Sequence, residues 1–376
     1  MPASLRLAAV SVLTTAALGC GGRYGGAPAE RPRALKGGPG IEAAGLPYQV
    51  VDARTGKSVD EPAFWTRLAA SRAVCVGEDH QNPHHHWLQL HVVRELIKRL
   101  PPGTRLALAM EMFQRPFQGV LDDYAAKRID DAQLRSRSGY EERWSYDYGF
   151  YGPTIDTAVR AGAQLLAANA ARELTKQVSR HGLESLTPED RAQLPELKLD
   201  DRNHRAWFDG VMEDMGGTSA HSQPRSEDHD DAKPGDAAAN PPTAHAQGKP
   251  DPGKPAAPAP AAHGDAVEMP SADRIYTVQV IWDETMADTG AKWLAANPGG
   301  HLVLLAGNGH CHDSAIVARM KRRGVADAVS VRGVIDDGEG AVGDVLARPI
   351  HDFVVVLQMP PDVRRADRPG DDKDPK

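Results

Sequence analysis

Short apolar runs alternate with helix-length amphipathic segments along most of the chain, and this alternation constrains the fold more than any other feature. Residues 73–76 are apolar throughout, and they precede residues 84–100, where apolar side chains recur at helical spacing. The same order returns at residues 302–305 and 314–323. Strands without a polar face that alternate with helices are typical of parallel sheets covered on both faces. The sequence therefore predicts an α/β domain with a mostly parallel sheet flanked by helices.

Polar side chains follow four of the predicted strands. Glu78 and His80 follow the strand at 73–76, and polar residues also follow the predicted strands at 105–110, 164–168 and 302–305. A late strand is predicted at 353–357. Ligand crevices of open α/β sheets lie at the carboxyl ends of the strands, so we expect the polar residues there to form one site. Each of them alone could equally cap a helix or shape a turn. The residues expected to converge are Glu78, His80, Glu111, Asn169 and His310.

Two carboxylates and two imidazoles of this set could bind a divalent transition metal that activates water. They are Glu78, His80, Glu111 and His310. On this hypothesis the protein is a metal-dependent hydrolase, and His85 or His86 adds a ligand or acts as general base. The alternative is that these groups only hold loops together, so the sequence leaves open whether the protein is an enzyme.

Aromatic residues are scarce but concentrated. The chain has 6 Trp, 8 Tyr and 6 Phe, and six of these twenty lie within residues 140–151. Trp144, Tyr146, Tyr148 and Phe150 alternate, which predicts an extended segment with one aromatic face. Such a face could be the wall of a pocket for a flat macrocycle, or a lid that packs into the core.

The N-terminal residues 1–20 are typical of a cleaved export signal. Residues 7–18 are apolar or small, and this run is too short to span a bilayer. Ala17-Leu18-Gly19-Cys20 resembles a bacterial lipobox, which predicts acylation of Cys20 and a membrane-anchored protein of the cell envelope, facing the periplasm or the exterior. An ordinary secretory signal is the alternative. Two further cysteines, Cys75 and Cys311, could form one disulfide or be small buried residues.

Residues 216–266 contain no large apolar side chain and consist mainly of Pro, Ala, Gly and Asp. A segment of this kind cannot bury enough apolar surface to offset its ordering entropy, so a disordered insert is predicted. With a linker at 21–45 and a disordered tail at 359–376, one domain at 46–358 remains. Its charge gives no basis for nucleic-acid binding, because 44 Lys and Arg stand against 51 Asp and Glu, a net charge of −7.

Several motifs occur in an order that resembles the ChaN-like haem-binding lipoproteins. Among them are Gly77-Glu78-x-His80, Met110-Glu111-Met112-Phe113, Tyr151-x-Pro153 and Gly307-Asn308-Gly309-His310. The wider superfamily also contains the Tiki metalloproteases and erythromycin-esterase-like hydrolases. The resemblance implies that haem binds in a pocket that two subunits can share, with a tyrosine on the iron and a histidine near the propionates. The residues that it suggests for the pocket are Tyr151 as first choice of iron ligand, Tyr148 as second, and His85, His86, Asn169 and Met112.

Overall fold

A computed structural model of the chain describes residues 45–214, 270–336, 338 and 340–358. The predicted signal segment with Cys20, the insert at 216–266 and the tail from residue 359 lie outside the described residues, as does nearly all of the predicted linker. Among the described helices, none has both the length and the apolar character that crossing a bilayer requires.

The sheet contains eight strands in the order β2-β1-β8-β7-β3-β6-β4-β5. The six strands from β3 to β8 pair in parallel, whereas β1 is antiparallel to both β2 and β8. The prediction of a mostly parallel α/β fold is therefore confirmed. The strands are β1 (Tyr48–Asp52), β2 (Lys57–Val59), β3 (Ala73–Glu78), β4 (Leu106–Gln114), β5 (Gln164–Asn169), β6 (His301–Gly307), β7 (Val329–Asp336) and β8 (Phe353–Gln358).

Twelve α-helices belong to the described residues, and those next to the sheet cover both of its faces. They are α1 (Glu61–Ala70), α2 (Pro83–Arg99), α3 (Gln118–Ala125), α4 (Asp131–Ser138), α5 (Tyr140–Arg143), α6 (Gly152–Arg160), α7 (Arg172–His181), α8 (Pro188–Arg191), α9 (Arg202–Asp214), α10 (Ala272–Ala296), α11 (Ile316–Arg322) and α12 (Ala341–Ala347). The start of α2 illustrates the local cause of a boundary. The Asn82 side chain accepts the N–H of His84, and Pro83 supplies a first helical residue that has no N–H to satisfy.

The core has one apolar layer on each face of the sheet. Val74 and Val76 of β3 pack in the layer that contains Trp87 of α2. Cys75, which points to the other face, packs in the layer that contains Met286 of α10. Successive strand residues thus alternate between the two layers, as the pleat requires. Cys75 and Cys311 form a disulfide, with Cα atoms 5.4 Å apart, which decides between the two possibilities that the sequence left open.

The aromatic segment is not extended, and that prediction was wrong. Residues Tyr148–Phe150 form a 3-10 turn, in which the Asp147 carboxylate accepts the N–H of Gly149. Ser145 has a positive φ of 68°, which turns the chain between Trp144 and Tyr146. Aromatic residues at every second position can therefore occur in tight turns as well as in a strand.

Candidate functional site

The carboxyl ends of three adjacent strands, β3, β6 and β4, form the floor of the candidate site. Glu78, the last residue of β3, pairs with Gly307, the last residue of β6. A Cβ on Gly307 would lie 3.2 Å from His80 Cε1 and 3.7 Å from His310 Cδ2. The two imidazoles therefore approach one another over this glycine, which has no side chain to keep them apart.

Glu78 is the centre of the first half of the site. Its carboxylate is buried, and Oε1 accepts hydrogen bonds of 2.7 Å from both His80 Nδ1 and the Tyr151 hydroxyl. The other oxygen, Oε2, lies 3.1 Å from His86 Nδ1. Burial alone would raise the pKa of Glu78, but the neighbouring His86 and His80 outweigh burial and hold this pKa well below its usual value. Glu78 is therefore a charged carboxylate at neutral pH.

His310 is the centre of the second half. Its Nδ1 donates to Asp283 Oδ1 over 2.7 Å, and its Nε2 lies 3.3 Å from Glu111 Oε1. The other oxygen of Glu111 accepts the N–H of Gly307 over 2.7 Å. Burial lowers the pKa of His310, but the charges of Glu111 and Asp283 outweigh burial and raise this pKa to about 10. His310 is therefore an imidazolium that bridges two carboxylates.

The two Glu–His pairs lie on opposite faces of the sheet. Glu78 has the same parity on β3 as Val74 and Val76, and it meets the side of the sheet covered by α2. Glu111 follows Ala109 by two residues on β4, on the side covered by α10, which supplies Asp283. His80 and His310, at the edge itself, bring the two halves together.

His80 is the more exposed of the two imidazoles, with 26% of its side chain accessible against 10% for His310. Its ring lies between two aromatic neighbours, with centroids 4.8 Å from Trp144 and 4.7 Å from Tyr146. Burial lowers the pKa of His80, but the hydrogen bond and charge of Glu78 outweigh burial and raise it. Because Glu78 holds Nδ1, the second nitrogen, Nε2, is the one that can meet a ligand.

Comparison with known proteins identifies the family. The family model described as haem-binding uptake, Tiki superfamily, ChaN matches residues 64–320, which is more than half of the chain. The chain belongs to this family.

Among solved structures, the chain is similar to one titled as cofacial haem binding to ChaN of Campylobacter jejuni. The TM-score is 0.54 at 14% identity, covering 82% of this chain and 96% of that one. A second structure, a mutant erythromycin esterase in its open conformation, gives a TM-score of 0.37 at 13% identity and covers 83% of each chain. A curated relative, the chloroplastic protein RETICULATA-RELATED 5 of Arabidopsis thaliana, is 30% identical over 136 residues. That match covers 35% of this chain, which spans only 18% of the length of the plant protein.

The four strand-end residues Glu78, His80, Glu111 and His310 of this ChaN-family chain do lie together, as described above. Asn169 does not join them, because its side-chain oxygen turns back to accept the N–H of Ala170 over 2.8 Å. It ends β5, and β4 separates that strand from β6. Among the described residues, no group of three or more His, Cys, Asp or Glu side chains has the geometry to hold a metal ion.

The two tyrosines suggested as iron ligands are buried. Tyr151 is fully buried, and its hydroxyl is committed to Glu78. Burial and the charge of Glu78 raise the pKa of Tyr151 well above its usual value, which disfavours a phenolate. Tyr148 is nearly buried, with its hydroxyl 3.4 Å from Asp131 Oδ1, and burial raises its pKa too. In this conformation neither hydroxyl can meet an iron atom without giving up its present surroundings.

The remaining suggested pocket residues stabilise the loop and the core. His85 Nδ1 accepts the N–H of Asp79 over 2.9 Å, and burial lowers the pKa of His85. His86 is fully buried and stacks on Phe150, with ring centroids 4.6 Å apart. Met112 is buried in the layer on the α2 side. These side chains stabilise the loop and the core next to the site and do not line it.

Sequence reasoning did not assign Asp283 or His204 to the site. Asp283 lies inside α10 and His204 inside α9, and both are fully buried. Neither follows a strand, so the strand-end argument could not find them. A buried Asp in a long helix is the one available signal, because such a group needs a partner.

Proposed function

We propose that the protein binds haem at the carboxyl edge of β3, β6 and β4. The observation that supports this most directly is the partly exposed His80 imidazole, held by Glu78 through Nδ1 and flanked by Trp144 and Tyr146. Membership of a family described as haem-binding uptake supports the same ligand. A role in haem or iron acquisition or handling follows from this proposal.

The donor set of this edge suits haem. A flat macrocycle needs aromatic or apolar walls, and the partly exposed Tyr146 provides one beside His80, with Trp144 buried next to it. The partly exposed Trp282 lies beside His310, with ring centroids 6.0 Å apart. If bound, haem would supply an iron that an imidazole nitrogen or a phenolate oxygen could hold. His80 and Tyr146 bring one of each to the same edge.

We assign the iron-ligating oxygen to Tyr146 in preference to Tyr151 and Tyr148. Tyr146 is partly exposed, whereas the other two tyrosines are buried. Binding through Tyr151 would remove a hydrogen bond from the buried Glu78 carboxylate, at a cost of about 1.5–3 kcal/mol. Binding through Tyr146 would leave the hydrogen bond between Tyr151 and Glu78 in place.

Haemin titration of the purified protein, followed by the Soret band, tests this function. We expect saturable binding by the natural protein, a changed band with a loss of affinity of about tenfold or more for Tyr146→Phe, and a similar loss for His80→Ala. Tyr148→Phe and Tyr151→Phe are matched controls that remove a phenol hydroxyl from a buried place, and they should retain the natural band. Absence of saturable binding by the natural protein would refute the proposal. A band lost in Tyr151→Phe but kept in Tyr146→Phe would return the assignment to Tyr151.

A second candidate function is hydrolysis, favoured by the presence of two carboxylate–imidazole pairs at one edge. Glu78 orients His80 so that Nε2 can take a proton, and His310 is a cation that can stabilise negative charge developing nearby. Elemental analysis and hydrolysis of nitrophenyl esters by one untreated sample test this candidate. A hydrolysis rate that is the same in the natural protein and in His80→Ala would rule out this candidate.

Export and anchoring are also part of the proposal. We propose that Cys20 is acylated and holds the domain at a membrane of the cell envelope, and that two copies can share the haem site. Metabolic labelling with an alkyne fatty acid should mark the natural protein and not Cys20→Ser. Sedimentation with and without haemin should show haem-dependent dimers if the site is shared.

A further inference from the structure

Helix α9 lies against the His310 half of the site and carries two side chains that meet it. His204 is fully buried, and its Nε2 lies 3.0 Å from Asp283 Oδ2. Trp207 contacts the loop after β6, since a Cβ on Gly309 would lie 3.5 Å from the Trp207 ring. Neither contact belongs to the strand ends that define the site.

The neighbours of His204 indicate the roles of its two ring nitrogens. Nη2 of Arg319 lies 3.2 Å from His204 Nδ1, and a guanidinium can only donate. Nδ1 is therefore the acceptor nitrogen, and a neutral His204 carries its proton on Nε2. That nitrogen faces Asp283, so the contact brings an N–H to a buried carboxylate oxygen.

Asp283 divides its two oxygens between two histidines. Oδ1 accepts the Nδ1–H of His310 over 2.7 Å, and Oδ2 faces His204. The nearest other cation, Nη1 of Arg319, is 3.9 Å from Oδ2. Without His204, Asp283 Oδ2 would lose the ring nitrogen that lies 3.0 Å from it. Rotation of Asp283 toward Arg319 would then weaken its bond to His310.

α9 packs against the start of α10 and against the loop after β6. On the α10 side, the Phe208 and Tyr276 rings are 5.3 Å apart, and the partly exposed Arg205 pairs with Asp273 over 2.7 Å. On the loop side, the Trp207 and His312 rings are 4.3 Å apart. The position of His204 therefore depends on contacts with both elements.

We propose that His204 is a positioning residue which acts through Asp283 to hold His310, and that this contact sets ligand affinity at the carboxyl edge. The affinity part rests on the haem-binding function proposed above. The positioning part concerns the ligand-free protein alone and can be tested without haem.

The experiment compares His204→Asn with His204→Gln. An asparagine amide reaches about as far as Nδ1 of the histidine and stops short of Asp283, whereas a glutamine amide reaches about as far as Nε2 and can replace its N–H. Arg205→Gln is the matched control on the same helix, because it removes the exposed ion pair and leaves Asp283 untouched. The two readouts are the His310 Nδ1–H resonance in ligand-free protein with ¹⁵N-labelled histidine, and the dissociation constant for haemin.

We expect His204→Asn to shift the His310 Nδ1–H resonance and weaken haemin binding by about tenfold, while His204→Gln and Arg205→Gln stay close to the natural protein. An unshifted resonance in His204→Asn overturns the proposal, as does an equal shift in Arg205→Gln, which would indicate general loosening of α9. If the natural protein binds no haemin, the proposed function fails, and the resonance still decides the role of His204.

Discussion

His301 offers a quantitative test of burial in this fold, at the end of β6 opposite to the candidate site. It begins β6, is buried, and its Nε2 has no hydrogen-bond partner among the described residues. Burial lowers the pKa of His301 from 6.5 to about 4, and the charge of Asp327 opposes this only in part. We predict that His301→Met makes the protein less sensitive to acid.

The sign and size follow from proton linkage. Between pH 6.5 and about 4 the unfolded chain holds a proton on His301 that the folded protein does not, so the free energy of unfolding falls as the pH falls through this window. Going from pH 7 to pH 5 the expected loss from this one side chain is about 2 kcal/mol. His301→Met should remove that share of the acid destabilisation, whatever its effect on stability at pH 7.

Urea unfolding at pH 7 and pH 5 measures the difference directly. The quantity to compare is the change in unfolding free energy between the two pH values, in the natural protein and in His301→Met. His181→Met is the control, since His181 ends α7 at an exposed position, and it should leave the change as it is. If His301→Met retains the full acid loss, the burial argument for His301 is wrong.

Three further predictions concern the site and its surroundings. Tyr151→Phe should lower the free energy of unfolding in urea by about 1–3 kcal/mol, because the buried Glu78 carboxylate loses a donor; an unchanged value would mean that this hydrogen bond is not formed. Replacing Cys75 and Cys311 together by serine should cost about 2–5 kcal/mol, and a chain as stable as the oxidised natural protein would contradict the disulfide. His310 has a pKa raised from 6.5 to about 10, so its stabilising effect is full below pH 6.5 and is lost as the pH rises through about 10. Thermal unfolding at pH 7 and pH 10 should therefore reveal an alkaline loss that His310→Gln lacks, and equal losses would argue against the paired imidazolium.

The strand-end argument found four residues of the candidate site because parallel strands end at one edge. Glu78 and Glu111 could be located this way, since each belongs to an apolar run whose ends are easy to see. Strand β7 was missed, because Arg332 and Gly333 interrupt its apolar pattern. β4 extends four residues beyond its predicted end. The added residues include Glu111 and Gln114, which are polar but buried with hydrogen-bond partners. Polar residues inside a strand hide its true length from a periodicity argument.

The partners supplied by helices could not be predicted for a different reason. Asp283 reaches His310 from α10, His204 reaches Asp283 from α9, and both approaches depend on how those helices pack. Helical spacing specifies which face of a helix is apolar, but the depth and rotation of the helix follow from side-chain packing across the whole layer. The prediction of an extended aromatic segment was wrong because of a local feature, the turn at Ser145.

The loop that carries His310 is held from two sides. The disulfide joins Cys311, which directly follows His310, to Cys75 on β3. On the other side, the N–H of Gly307 donates to Glu111 of β4. Because both anchors belong to paired strands in the middle of the sheet, the loop cannot move far without breaking the disulfide or leaving Glu111 without this donor.

His80 has no comparable covalent restraint. It lies in the turn after β3, and Glu78 is its hydrogen-bonded partner on that strand. Its side chain is also the more accessible of the two imidazoles, so a ligand arriving from solvent meets His80 and its partly exposed neighbour Tyr146 before it reaches His310. Rearrangement on binding should therefore concentrate in these two side chains, while His310 remains a fixed positive charge.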